Sequence, residues 1–141
     1  RMRRLEDSQM IKAVGHIGVA VKDIEKTLAT LCRALEIPMP GIRELPELRL
    51  KVAMIDLGGT WFEFVQDDNE YGLLATFVKE RGNARHHICL LSDDLETDIS
   101  AVESRGLAMF DQEPRMGIRG KRVAFSNPAS LDGLVVELSE P

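Results

Sequence analysis

Residues Ala84 to Gly106 read "ARHHICLLSDDLETDISAVESRG", an apolar run with the look of a buried strand that passes through an acidic turn into a helical pattern. The run opens with His86 and His87, two of only three histidines in the chain. The third, His16, lies in "VGHIGVAVKDIEKTLATL", Val14 to Leu31, seven residues before Asp23, just as His87 stands seven before Asp94. A histidine-bearing strand that hands over to a helix is therefore written twice, and the chain is read first as an internal repeat.

The rest of each half follows the same order. In the first, Asp23 is placed to cap a helix whose Ile24, Leu28, Leu31 and Leu35 fall at helical spacing, and "IPMPG", Ile37 to Gly41, ends it. After a weak extended segment, "LKVAMIDLGGTWFEFVQD" reads as two strands joined at Gly58-Gly59, a dipeptide suited to the positive φ of a tight hairpin. In the second half, Asp93 and Glu96 are in capping-box register, Leu95, Ile99 and Val102 form the apolar stripe, and Gly106 stops the helix. Three extended segments then follow: "LAMFDQEP", "KRVAFSNP" and "GLVVELSEP". The expected organisation is a tail over 1–13 and a single domain over 14–141. That domain is made of β-α-β-β-β modules at about 14–68 and 84–141, with a linking helical segment at 69–83. The linker's apolar face is Leu73, Leu74, Phe77 and Val78, and Trp61, Phe62 and Phe64 are assigned to the core. Neither module has enough core to be comfortable alone, so they are expected to pack as one unit.

The 141 residues fit one ordinary globular domain, and a formal charge of -5 without any sustained basic run argues against nucleic acid and acidic membranes as partners. Small-molecule ligands fit better. No apolar run approaches the ~20 residues of a membrane span, the start has no apolar signal core, and a cytoplasmic location is expected. Cys32 and Cys89 do not make a disulfide framework and read as free, buried thiols.

The chemistry is carried by two carboxylates. Glu63 in "TWFEFVQ" and Glu137 in "LVVELS" each sit in the last strand of a half, enclosed by apolar neighbours, with no Lys or Arg in either strand. A buried carboxylate is costly unless something positive meets it. Glu63 follows His16 by 47 residues and Glu137 follows His87 by 50, so each half offers one imidazole and one carboxylate. If the halves pair pseudo-symmetrically the four converge, and a divalent ion such as Zn, Ni, Co or Mn suits that donor set. A lone strand histidine or glutamate is commonplace; the pair recurring at matching offsets is what sets these apart. Gly18 and Ala20 share His16's face and leave open volume beside it. His86 points to the opposite face from His87 and is assigned a structural role. Cys89 shares His87's face, but Gly18 holds the equivalent place in the other half, so the thiol is taken as a small buried hydrophobe. "EPRMGIRGKR" is read either as a mobile loop able to touch anionic groups or as a solvated hairpin.

On these residues the chain resembles the vicinal oxygen chelate (glyoxalase/bleomycin resistance/dioxygenase) superfamily, and within it the methylmalonyl-CoA epimerases. The similarity runs from about Val14 to Pro141 and rests on "GHIGVAVKDIEKTL", "VAMIDLGGTWFEF", "FVKERGNARHHI" and above all "QEPRMGIRGKRVAFSNP" followed by "GLVVELSEP". It implies an α+β fold of two tandem βαβββ modules forming a curved mixed sheet around a central metal site, with His16, Glu63, His87 and Glu137 as the ligands of a Co, Ni, Zn or Mn ion. It further implies that the ion binds a substrate oxygen as Lewis acid while an α-proton is removed and returned, with Glu137 as the acid or base. An acyl-CoA thioester as substrate and a homodimer follow from the same resemblance. Four features depart from the family pattern, one being that the usual Glu-Pro and Ser-Pro pieces after the fourth strand are replaced within "VQDDNEYGLL". Val52 stands where some epimerases carry a second catalytic glutamate, "NPA" (Asn127 to Ala129) replaces a His-Pro-Lys, and an aromatic pair near Leu31 and Cys32 is missing. The expected function is epimerase-like, with a glyoxalase I-like lactoylglutathione lyase and a non-catalytic binding protein on the same fold as its competitors.

Overall fold

The computed structural model describes residues 9–141; of the segment read as a tail, residues 1–8 lie outside the described residues. The chain forms two compact units, Ile17–His86, and His87–Pro141 together with the N-terminal segment that ends at His16. Among the described residues no helix is long and apolar enough to cross a membrane.

The first unit follows the order read from the sequence. Strand β1 (Val14–Ala20) leads to helix α1 (Ile24–Leu35), where Asp23 Oδ1 accepts the Lys26 N–H at 3.0 Å and so supplies the N-cap. Leu28 and Ile24 are fully buried, and they pack with Val21, Cys32, Ala53, Ile55 and Phe64 into one apolar cluster. Truncating such a leucine to alanine typically costs about 2–5 kcal/mol. The weak extended segment is a short strand, β2 (Arg43–Leu45), and β3 (Leu50–Leu57) turns into β4 (Thr60–Asp67) through Gly58 and Gly59 at φ of 63° and 95°. Both glycines occupy the left-handed region that a two-residue hairpin turn of this hand requires, and Asp56 Oδ1 accepts the Gly59 N–H across it. The strands run β2-β3-β4-β1, with β1 parallel to β4 and the other pairs antiparallel.

A cavity of about 280 Å³ opens between α1 and the sheet, lined by Val19, Leu31, Ile37, Ile55, Phe62 and Phe64 among others. Leu31 of α1 lies on this wall. Helix α2 (Leu73–Arg81) follows; of the apolar face expected of the linker, Leu74, Phe77 and Val78 are half-buried and only Leu73, at 81%, is exposed. Phe77 is engaged by the His86 ring, edge-on at 5.1 Å, and by the Arg81 guanidinium at 4.8 Å. Trp61 also departs from the core assignment: it pairs with Asp56 beside the hairpin turn and is 42% exposed.

The second unit repeats the topology. Strand β5 (Ala84–Leu91) leads to α3 (Leu95–Ser104), then β6 (Arg115–Met116), β7 (Arg122–Phe125) and β8 (Val135–Ser139), in the order β5-β8-β7-β6 with β5 parallel to β8. Each module is thus βαβββ. The helix cap falls one residue later than the capping-box reading placed it. Asp94 Oδ1 accepts the Thr97 N–H, and Thr97 Oγ1 returns a bond to Asp94 Oδ2, while Glu96 turns outward to Arg122. Asp94 is the counterpart of Asp23, so the repeat located the cap better than the local motif did. The segment "LAMFDQEP" makes only a bridge from Met109 to Ser126, and its strand forms later, at Arg115–Met116. Leu95, Ile99, Met109, Ala124 and Leu138 form the core of this unit, with Ile11 packed against it.

Candidate metal centre

Three strand positions bring the chemistry together in the second unit. The chain enters it beside β5, where the Leu91 N–H donates to the Ala13 carbonyl at 3.0 Å. Gly15 makes this approach feasible. A Cβ there would lie 2.8 Å from Leu91 Cδ2 and 3.0 Å from Cys89 Sγ. The next residue is His16. On β5, His87 stands opposite Val135 and Cys89 opposite Glu137 on β8. Side chains repeat every second residue along a strand, so His87 and Glu137 project from one face.

His16, His87 and Glu137 are all buried, at 1%, 6% and 6% exposure. His16 Nε2 lies 3.0 Å from His87 Nε2, and Glu137 Oε1 stands 3.1 Å and 3.2 Å from these two nitrogens. No described donor is aligned on Glu137 Oε1 as a hydrogen bond, close as the two nitrogens are. Two imidazoles meeting nitrogen to nitrogen can share at most one proton between them. The pattern is that of lone pairs converging on a point. Ligand atoms about 2.0–2.1 Å from a common ion stand roughly 2.8–3.4 Å apart across octahedral and tetrahedral geometries, a range that includes the spacing here. Two imidazole nitrogens and a carboxylate oxygen suit a borderline divalent ion such as zinc, cobalt, nickel or manganese. Burial works to raise the Glu137 carboxyl, but the two imidazoles outweigh it and hold the carboxyl down at about 2.

The neighbouring residues fix this arrangement. The Phe125 ring meets His87 edge-on at 5.5 Å, and Arg115 stacks on Phe125 at 5.2 Å while its Nε donates to Asp111. Arg122 is engaged by Glu96 and Glu140. The basic segment "EPRMGIRGKR" is therefore a hairpin whose flanking arginines have carboxylate partners. Arg119, at its tip, points inward, with Nη2 2.9 Å from His16 Nδ1. The sequence reading noticed the loop but not this residue, because nothing in the local pattern ties a turn arginine to a histidine 103 positions earlier.

Glu63 lies in the first unit on β4, 2% exposed, opposite Gly18 on β1 and Met54 on β3. Gly18 is two residues beyond His16, just as Cys89, opposite Glu137, is two beyond His87. The carboxylate register is thus the same in both modules. Cys89 and Cys32 are both buried, and neither forms a disulfide among the described residues.

A model of the Glyoxalase/Bleomycin resistance protein/Dioxygenase superfamily matches residues 15–125. The mitochondrial methylmalonyl-CoA epimerase of Bos taurus is 27% identical over 90% of this chain and 73% of its own length. Among solved structures, a hypothetical protein from Bacillus halodurans superimposes with a TM-score of 0.83 at 32% identity, covering 92% of this chain and 94% of that one. A variant of Streptomyces coelicolor methylmalonyl-CoA epimerase in complex with 2-nitronate-propionyl-CoA gives 0.81 at 21% identity, over 92% and 94% of the two chains. At that identity the likeness speaks for the fold.

Proposed function

The chain belongs to the glyoxalase/bleomycin resistance protein/dioxygenase superfamily, and from that premise we propose that it is a metal-dependent epimerase of a carboxylated acyl thioester, methylmalonyl-CoA or a close analogue. The observation that carries this reading is the convergence of His16 Nε2, His87 Nε2 and Glu137 Oε1 in a buried cluster. The mammalian relative named as an epimerase, and the acyl-CoA analogue held by the Streptomyces structure, support the substrate class.

His16, His87 and Glu137 would hold the ion; Glu63, which the resemblance implies as a further ligand, holds the matching register in its own module. A divalent ion bound there supplies positive charge where a substrate carbonyl oxygen becomes negative as an α-proton leaves. The two histidines orient the site and carry no net charge into it when neutral. Glu137, as a ligand carboxylate that can loosen from the ion, is the group that takes and returns the proton. Burial of the cluster excludes bulk water, which strengthens each electrostatic contact.

The test is solvent exchange. Metal-loaded protein incubated with methylmalonyl-CoA in deuterated water is expected to place deuterium at the α-carbon, and Glu137→Gln to abolish it. Absence of exchange together with turnover of a glutathione hemithioacetal would reassign the chain to glyoxalase I-like chemistry. Inactivity on both, in a protein that takes up no metal, would make it a binding protein.

A further inference from the structure

The edge strand β6 places a charged group on the same sheet face as the ligand cluster of the second unit. Phe125 on β7 stands opposite Glu137 on β8, and Arg115 on β6 stands opposite Val123, two residues before Phe125. Directly opposed residues share a sheet face and alternate residues repeat it, so Arg115, Val123, Phe125 and Glu137 all project from one side. The contacts agree with the register. A single aromatic ring, Phe125, meets the His87 ring at 5.5 Å and carries the Arg115 guanidinium at 5.2 Å. Arg122, one residue from Val123, takes the opposite face, where Glu96 of α3 engages it.

Arg115 is also pre-positioned. Asp111, only 10% exposed, accepts the Arg115 Nε–H through Oδ1 at 2.9 Å and the Phe125 N–H through Oδ2 at 2.9 Å. One carboxylate thus ties the arginine to the residue whose ring it covers. A guanidinium bound at Nε has four further N–H donors on its two terminal nitrogens, arranged as a fork that suits a carboxylate. The side chain is 53% exposed, so an incoming anion can reach them. We propose that Arg115 receives the free carboxylate of the substrate and so selects malonyl-type thioesters over plain acyl thioesters. In a 2-substituted malonyl thioester the carboxylate carbon is two carbon–carbon bonds from the thioester carbonyl carbon. A carbonyl oxygen at the ligand cluster therefore keeps the carboxylate close by, and the guanidinium stands across Phe125 from that cluster. Loss of the α-proton puts a second negative charge on the same small fragment, and a cation already paired with the carboxylate lowers that cost. A plain acyl chain offers Arg115 no partner.

This inference rests on the thioester reading proposed above, and the experiment separates the two. Calorimetry measures the affinity of zinc-loaded protein for methylmalonyl-CoA, propionyl-CoA and free CoA, with the unsubstituted chain, Arg115→Met and Arg115→Lys. Propionyl-CoA keeps the thioester and the CoA but lacks the carboxylate. The unsubstituted protein is expected to bind methylmalonyl-CoA about tenfold or more tightly than propionyl-CoA, as a charge-assisted contact implies. Arg115→Met keeps an unbranched stem over Phe125, and is expected to lose about tenfold or more for methylmalonyl-CoA but less than about twofold for propionyl-CoA and free CoA. Arg115→Lys keeps the charge without the fork, so its loss is expected to be smaller and confined to the same ligand. It carries the comparison if Arg115→Met fails to fold. Equal losses for methylmalonyl-CoA and propionyl-CoA, or a fall in zinc affinity that accounts for them, would make Arg115 a support for Phe125 and His87 and overturn the proposal. A loss shared by free CoA would assign the arginine to the phosphates and overturn it as well. If the unsubstituted protein binds neither thioester more tightly than free CoA, the epimerase reading itself is overturned, and the inference with it.

Discussion

His16 Nε2 and His87 Nε2 stand 3.0 Å apart although 71 residues separate them in the chain, and Glu137 Oε1 closes the triangle. This is an uncomfortable grouping of side chains by themselves, since two ring nitrogens face each other over a distance that can hold at most one proton, beside a buried carboxylate. An ion among the three relieves it. Zinc at about 100 times its dissociation constant is therefore expected to stabilise the protein by about 2.7 kcal/mol, raising the melting temperature by roughly 5–10 °C. His87→Ala is expected to show no zinc-dependent shift. Thermal unfolding with and without chelator measures both, and a melting temperature indifferent to metal in the unsubstituted protein would count against the centre.

The depressed Glu137 carboxyl gives a pH dependence whose sign is fixed. Its ordinary value is 4.5 and its folded value about 2, so the folded state holds on to the ionised form longer than the unfolded chain does. Its stabilising contribution is fully present above about 4.5 and is lost as pH falls toward 2. Urea unfolding of chelator-treated protein at a series of pH values should show the unsubstituted protein's advantage over Glu137→Gln shrinking through that window. An advantage that stays constant or grows on acidification would mean that the imidazoles do not hold the carboxylate.

What the sequence made legible was whatever the repeat duplicated. Asp23 and Asp94 both cap helices, seven residues after His16 and His87, and both carboxylates stand opposite the position two beyond their histidine. Local signals did less well. Asp93 and Glu96 satisfied a capping-box pattern, but Asp94, the residue directly before the first helical residue Leu95, took the cap. Trp61 looked like core by residue type, yet its position beside a two-residue turn leaves it exposed. Arg119 was out of reach of pattern reading altogether, since its significance lies in a contact between a hairpin tip and a distant strand.

Val52 sets the last expectation. It is 5% exposed on β3, opposite Val65, and two residues from Met54, which faces Glu63 across the hairpin. Directly opposed residues share a sheet face and alternate residues repeat it, so Val52 projects from the same face as Glu63. The chain therefore has an apolar group where the resemblance places a second proton-carrying glutamate. If Glu137 alone moves the proton, as proposed above, abstraction and return to the same face are favoured over inversion. Deuterium should accordingly enter the recovered starting epimer of methylmalonyl-CoA faster than the inverted epimer accumulates. Val52→Glu should narrow that gap, at a stability cost of about 2–4 kcal/mol for burying a carboxyl in an apolar setting. Chiral analysis of a single-epimer substrate in deuterated water measures both rates. Inversion that keeps pace with exchange while Val52 is intact would show that another group delivers the second proton.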